Sequence, residues 1–522
     1  MMEVIFMLAL LFGAGFIAAS FSRLFNLPIV PFLVLSGLIS SFFIEFEPTE
    51  LLAVGILFLI FYIGLRTDLQ GFRKISSDSI NIALVQVLVA GSLGFIVANI
   101  MDFTLVESLY IALAAGLGST LAGTDLFDQK MRMDLHHGKI STGTNLIQDI
   151  IAVILIAAIA SYSIGEAYIN VALIIALLLI SIGIRYLLSP LIQLYLKTVE
   201  LQALFILSVF SLSASIGYYT SISMVASCFA GGLAFSKGLR TDELLDSIEH
   251  IKDFFAVITF VGIGALVSIQ SLTSIYLAIA ILVLVLIVRP IVIFLTALID
   301  DKSPLTSFKI TLNLSEVSEF VLAAVLIAML EGSISDIVFD SIVIAMAASM
   351  ILVGLASHRK YYLFEKLAWP FRRTKKFVSG PSKKFELEEH VILAGFGGIG
   401  AKIAEDLKDE NQEFVVVDYN KENIDEANIK DYQSLFADLT DQNTWKTVNY
   451  TKSDIIVVTT TNPLVLQKLK TLEHNSIVLV DSEDQLTELA DYSYIRAMLK
   501  DKLIDDSLKN KLKHVLIGKK GK

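Results

Sequence analysis

The chain has one cysteine, Cys228, in 522 residues. A lone cysteine excludes an intrachain disulfide and a thiolate metal cluster, and its apolar surroundings leave packing as its expected role. Charge is also scarce: Asp, Glu, Lys and Arg make up 18% of the residues, against about 25% in soluble domains. Lys and Arg are missing altogether from four loops, EFEPTE at 45–50, MDFTLVE at 101–107, YSIGEA at 162–167 and EGSISD at 331–336. The opening stretch, MMEVIFMLAL, has no basic n-region and carries Glu3. It is expected to be a retained first helix rather than a cleaved signal peptide. No TVGYG-like filter occurs, which counts against a potassium-channel pore. The net charge of −11 lies mostly in loops and the C-terminal part; it names no partner, and nucleic acid is not expected as one.

Apolar residues are abundant, at 55%. Runs long enough to cross a bilayer recur as far as Ser357, after which the chain becomes charged. This predicts a membrane domain at 1–357, a basic linker at 358–389 with nine Lys/Arg, and a Rossmann-like α/β domain with a helical tail at 390–522. Thirteen spans are expected, at 2–20, 27–43, 50–65, 78–99, 105–123, 141–163, 167–185, 201–217, 221–237, 252–269, 272–298, 307–331 and 335–357. The loops between them alternate. One set holds Arg23; Arg66, Arg73 and Lys74; Lys130, Arg132 and Lys139; Arg185 and Lys197; Lys237, Arg240 and Lys252; Lys302 and Lys309. The other set holds no cation. This segregation predicts an outer N-terminus and a cytoplasmic C-terminus.

An ionisable group within a span is costly and is a functional candidate by default. In the sixth span, NLIQDIIA places Gln148 beside Asp149, with Asn145 one turn earlier on the face of Asp149. In the fifth, AAGLGSTLAGTDL interrupts an apolar helix with three glycines, Ser119, Thr120 and Asp125. The eleventh carries Arg289 before Pro290; the twelfth, TLNLSEVSEF, carries Glu316 and Glu319, expected on one helical face. Small-residue packing is the alternative for Ser119 and Thr120, and Asp125, beside a cytoplasmic loop, is more often a loop-end acid. Spans 5 and 12 are both interrupted and lie seven apart, so they run in opposite directions. Inverted repeats over spans 2–6 and 9–13 follow, and paired broken helices point to a transporter ion site. Arg289 is expected to balance acidic side chains or the dipole ends of the broken helices.

LIQDIIAV, GSTLAG, SISMVASCFAGGLAFS at 221–236, IEHIKDFFAVITFVGIGALVSI at 248–269 and SEVSEFVLAAVL together resemble the Kef-type branch of the monovalent cation:proton antiporters, in order and spacing over nearly the whole chain. The resemblance implies a dimerisation domain and a mobile core with crossed discontinuous helices. It also implies a homodimer in membrane lipid and one cation exchanged for protons at Asp149. Gln148 marks the potassium-preferring branch. Two departures leave K+ against Na+ open: LVLIVRPIVIFL is more similar to sodium:proton exchangers, and Glu316 and Ser318 stand where the branch typically has Gln and Gly. With a single exchanging carboxylate, the cycle is expected to be electroneutral.

In the C-terminal part, HVILAGFGGIGAKIAEDL predicts a strand, a turn holding Gly395, Gly397 and Gly400, and a helix. FVVVD follows, ending in Asp418. This context makes a dinucleotide-type fingerprint, with phosphates at the helix start and ribose hydroxyls on Asp418. Further strands are expected at 433–437, 454–459 and 476–480, and Asp438 in FADLT is a further candidate ligand. No catalytic constellation accompanies the fold, so a regulatory nucleotide (AMP, ATP or NAD(H)) is expected rather than a substrate. A sodium:proton exchanger whose tail binds nothing, and a nucleotide-gated channel, are the competing readings.

Overall fold

The structure is a computed structural model. It describes residues 2–25, 27–41, 49–67, 76–118, 136–162, 167–195, 198–220, 223–236, 242–268, 271–300, 302, 304–358, 363–364, 366, 385, 387–418, 421–437, 439–440, 442–460, 463–480, 489 and 492–499. The chain divides into two compact units, residues 1–126 with 140–366, and 127–139 with 367–522.

The first unit is helical. Its helices are α1 (Met2–Phe25), α2 (Ile29–Ser41), α3 (Thr49–Arg66), α4 (Ser77–Ile100), α5 (Leu105–Gly116) and α6 (His136–Tyr162). They continue with α7 (Ala167–Tyr195), α8 (Val199–Thr220), α9 (Met224–Phe235), α10 (Asp242–Leu266), α11 (Leu272–Val283) and α12 (Arg289–Ile299). The last are α13 (Pro304–Asn313), α14 (Glu319–Leu330) and α15 (Asp336–His358). Each apolar run expected to span contains helix. Among the described residues, five helical stretches are long and apolar enough to cross a membrane by themselves. Two cations expected in loops are instead buried within helices, Arg185 in α7 and Lys309 in α13.

A π-helical turn, Leu284–Val288, joins α11 to α12. Pro290 explains its place. Proline has no N–H to return to the preceding turn and its ring crowds that turn's carbonyl, so the helix widens just before it.

Four glycines bring backbones together. A Cβ on Gly37 of α2 would lie 1.8 Å from the Val261 carbonyl oxygen of α10, and one on Gly264 would lie 1.9 Å from that of Val34. The same exchange joins α3 and α9: Gly64 meets the Phe229 oxygen at 2.2 Å and Gly232 the Phe61 oxygen at 2.0 Å. In every case the partner carbonyl belongs to the residue three before the opposing glycine. Small residues let helices approach until backbone touches backbone, which is how helices associate where lipid offers no hydrophobic contrast. Gly232→Val is therefore expected to push α3 and α9 apart and cost about 1–3 kcal/mol or more. It should appear as a lowered melting midpoint in detergent, and an unchanged midpoint would contradict the close crossing.

Polar contacts join helix ends in two places. Glu107 closes a capping box on Thr104, and its second oxygen accepts from the Ser335 N–H (3.1 Å) and hydroxyl (2.6 Å). This joins 101–107 to 331–336, two of the loops without cations. Elsewhere Lys302 Nζ lies 2.6 Å from Asp78 Oδ2, and Asn81 Nδ2 donates to Asp300 Oδ1 at 3.3 Å.

The second unit holds a six-stranded parallel sheet in the order β3-β2-β1-β4-β5-β6, with β1 (Val391–Ala394), β2 (Phe414–Asp418), β3 (Ser434–Phe436), β4 (Ile455–Val458), β5 (Ser476–Val480) and β6 (Ile495–Leu499). Helices α16 (Gly398–Asp409), α17 (Lys421–Ile429), α18 (Gln442–Thr447) and α19 (Pro463–Lys470) make the crossovers. The central strands read as continuous apolar runs because both faces are covered. Ile392, Ala394, Val415 and Val417 enter one core layer; Val391, Leu393 and Val416 enter the other. Strand β6 was not expected from the sequence. Its residues, IRAML, lack the β-branched run that marks the others, and pairing along β5 from Ser476 to Val480 draws them in.

Candidate functional site

One helix of the first unit ends and another is interrupted, and the two places meet. Helix α5 stops at Gly116; Leu117 is extended, and Gly118 makes an antiparallel bridge with Val317. Helix α13 stops at Asn313, and α14 restarts at Glu319, with the Ser318 hydroxyl capping Phe320 N–H. Glu316 thus lies in the break and Glu319 opens the next helix, so the two do not share a helical face as expected.

A helix end leaves carbonyls without partners, and here they are claimed. Arg289 Nε donates to Ala115 O (2.9 Å), Nη2 to Ala114 O (2.8 Å) and Ala115 O (2.6 Å), and Nη1 to Glu316 O (2.7 Å). Gln86 Nε2 donates to Gly116 O (3.0 Å), and Leu117 N–H to Leu113 O (2.9 Å). The guanidinium therefore sits at the negative end of the α5 dipole and ties both breaks together through main-chain oxygens. Gln86 escaped the sequence reading, although a polar side chain in the apolar run NIALVQVLVA was a signal of the same kind.

Helix α6 lies against this junction. Gln148 Oε1 accepts from Gly118 N–H at 3.0 Å. A Cβ on Gly118 would lie 3.0 Å from Leu314 O and 3.2 Å from that same amide oxygen. Thr144 Oγ1 donates to Ser79 O (3.3 Å), Ser79 Oγ to Ile140 O (3.2 Å), and Asn313 Nδ2 to Ser141 Oγ (3.3 Å). These bonds fix α6 to α4 and α13. Asp149, one residue beyond Gln148, is 6% exposed; Asn145 is buried one turn before it. Glu319 is near enough for its charge to act on both Asp149 and Glu316. The structure thus gathers Asn145, Gln148, Asp149, Arg289, Glu316 and Glu319 around one junction. Ser119, Thr120 and Asp125 lie outside the described residues.

In the second unit, the turn after β1 holds the three glycines in three roles. Gly395 has φ +103°, a conformation glycine adopts without strain. Gly397 precedes α16 with open space where a side chain would be, and a Cβ on Gly400 would strike Gly395 O at 2.2 Å. Asp418 Oδ2, at the end of β2, accepts from Phe396 N–H (2.6 Å) and Asn423 Nδ2 (2.9 Å). Thr459 Oγ1 donates to Gly395 O (3.0 Å). Asn423 and Thr459 carried no signal in the sequence, since their role depends on where the crossovers bring them. Asp438 lies outside the described residues.

Comparison with known proteins places this geometry. Residues 6–358 match the family model "Sodium/hydrogen exchanger, transmembrane", and 391–485 match the TrkA-N domain. The chain belongs to the cation:proton antiporter-2 family. KefB of Alkalimonas amylolytica, named as a K(+) efflux antiporter, is 24% identical over 83% of this chain and 68% of its own length. YbaL of Escherichia coli K12, named as a cation/proton antiporter, is 22% identical over 72% of this chain and 71% of its own. The solved sodium proton antiporter MjNhaP1 of Methanocaldococcus jannaschii superimposes with TM-score 0.56 at 15% identity, covering 70% of this chain and 99% of that one. This antiporter is a multi-pass membrane protein that exchanges a cation for protons. It carries a nucleotide-binding domain of the TrkA-N type on a parallel sheet.

Proposed function

We propose that the antiporter exchanges K+ or Na+ for H+ by alternating access, with Asp149 the carboxylate that holds cation and proton in turn. The observation that carries this is Asp149 buried on α6 directly beside the Gly118–Val317 junction of two broken helices. A carboxylate enclosed there is satisfied by a proton or by a cation, and competition for the one seat couples the two fluxes. The terminal α5 carbonyls are held by Arg289 and Gln86, and Gln148 Oε1 by Gly118. Ligands for the cation therefore come from Asp149 and from the stretch after Gly118, where Ser119 and Thr120 offer hydroxyls. Gln148 and Asn145 orient α6, Glu319, Arg289 and Asp125 supply the surrounding charge, and Glu316 lies in the break before α14.

Inverted repeats are supported by the paired crossings. Gly37 and Gly232 are 195 residues apart, Gly64 and Gly264 200, and Gly118 and Val317 199. An offset of 195 to 200 residues thus relates both glycine crossings and the Gly118–Val317 bridge. The Glu107–Ser335 and Lys302–Asp78 contacts each join loops assigned to one side, which favours an outer N-terminus and a cytoplasmic C-terminus. The membrane domain at 1–357, the linker at 358–389 and the regulatory domain from 390 act as a homodimer in this reading. The open space at Gly397 and the nearby Asp418 suit a regulatory AMP, ATP or NAD(H), with Asp438 a further candidate ligand.

The test is proton movement in proteoliposomes at zero voltage, driven by a K+ or a Na+ gradient, with and without nucleotide. Proton movement against one of the two cations, at a nucleotide-dependent rate, is expected. Current with no obligate proton movement would identify a channel instead.

A further inference from the structure

Glu316 is a carboxylate at the junction to which Asp149-centred exchange assigns no bond and no proton. It is 1% exposed, and neither carboxylate oxygen accepts a hydrogen bond from any described residue. Its main chain is fixed, because Arg289 holds its carbonyl oxygen. That same guanidinium is already committed to Ala114 and Ala115. Among the described residues, the charged groups beside Glu316 are Arg289 from α12, spent on carbonyls, and Glu319 from α14, of like sign.

An ionised carboxylate buried without donor or counter-cation is strongly disfavoured, because nothing replaces the water it gave up. The same side chain bearing a proton on one oxygen incurs only the smaller cost of a neutral polar group. We propose that Glu316 is a second proton site, distinct from Asp149, whose protonation is required for the two breaks to close into the arrangement seen here. Closure forms an O–H bond on Glu316 with a proton drawn from water. Opening lets water reach the break, and the proton returns to it. The proton is taken and released on the cation-bearing and the proton-bearing legs alike, so net stoichiometry is untouched. What changes is the rate: closure linked to one proton slows by up to about tenfold per pH unit once Glu316 is ionised in the open state.

The proposal rests on exchange at Asp149, and one experiment separates the two. Tracer sodium or rubidium is exchanged for the same cation across proteoliposomes at symmetric pH, where no proton need occupy Asp149. If Asp149 alone titrates, this exchange rises with pH to a plateau as proton competition fades. With Glu316 linked to closure, it rises and then falls at alkaline pH. Glu316→Gln, an isosteric neutral side chain, is expected to exchange tracer and to lose the alkaline fall; Glu316→Asp is expected to keep it. A plateau without a fall in the unmodified protein overturns the proposal whatever the variants do. A folded Glu316→Gln variant that retains the fall, or exchanges no tracer at any pH, also overturns it. Tracer exchange by an Asp149→Asn variant would instead overturn the Asp149 reading.

Discussion

Cation-driven proton movement by the Asp149→Asn variant will fall to the level of protein-free vesicles. Asn matches Asp in shape, so α6 should pack as before and the variant should elute as folded protein. What disappears is the negative charge and the ability to hold a proton on oxygen. A buried cation needs a formal counter-charge, because desolvation costs several kcal/mol that neutral dipoles only partly return. An amide also cannot alternate between proton and cation, since it takes up no proton at neutral pH and its oxygen meets a cation without balancing the charge. The loss should therefore appear in the rate at saturating cation and not only in apparent affinity. Acidifying the medium should not restore it. Measurable cation-coupled proton flux from a folded Asp149→Asn variant would remove this residue from the mechanism.

Arg289→Ala is expected to be the most destabilising single change at the junction. One guanidinium makes four hydrogen bonds to three carbonyl oxygens on two broken helices. Truncation leaves three buried acceptors without a donor, at about 1–3 kcal/mol each, and uncovers the negative end of the α5 dipole. The expected total is several kcal/mol, enough to lower the melting midpoint in detergent by many degrees and to stop exchange. Arg289→Lys should fall between the two: an ammonium restores charge but has no planar fork to span Ala114, Ala115 and Glu316 together. Melting curves for both variants decide it. Equal midpoints for Arg, Lys and Ala would show that the junction does not depend on this side chain.

Much of this arrangement can be read from the residues, for identifiable reasons. Asp149 stands out because a carboxylate in a lipid-length apolar run has few neutral explanations. The spans and the central strands stand out because burial on all sides demands unbroken apolar runs. Where a helix breaks is less legible. Glu316 and Glu319 are spaced as neighbours on a helix, and only the backbone shows that the chain leaves the helix at Leu314 and re-enters at Glu319. Of the two partners expected for Arg289, acidic side chains or dipole ends, its bonds go to the second, the terminal α5 carbonyls, and to the main chain of Glu316. Which acceptor a buried arginine finds depends on which elements converge on it, and residue spacing within one helix carries no record of that. Gln148 illustrates the same limit. Its neighbour Asp149 suggests a cation ligand, whereas its amide oxygen is taken by the backbone N–H of Gly118, thirty residues away and beyond the end of α5.

The wide turn at Leu284–Val288 also sets a phase. A helix that takes one residue more than usual in a single turn rotates everything beyond it by about 100°. Arg289 immediately follows that rotation, so its aim at α5 is inherited from the defect behind it. Rewinding the same five residues as ordinary α-helix, with none removed, would turn the guanidinium about a quarter-circle off target, with its own identity and every residue it bonds left intact; removing one residue together with the wide turn would keep the present aim. Winding at this one place is thus as much a part of the site as chemistry.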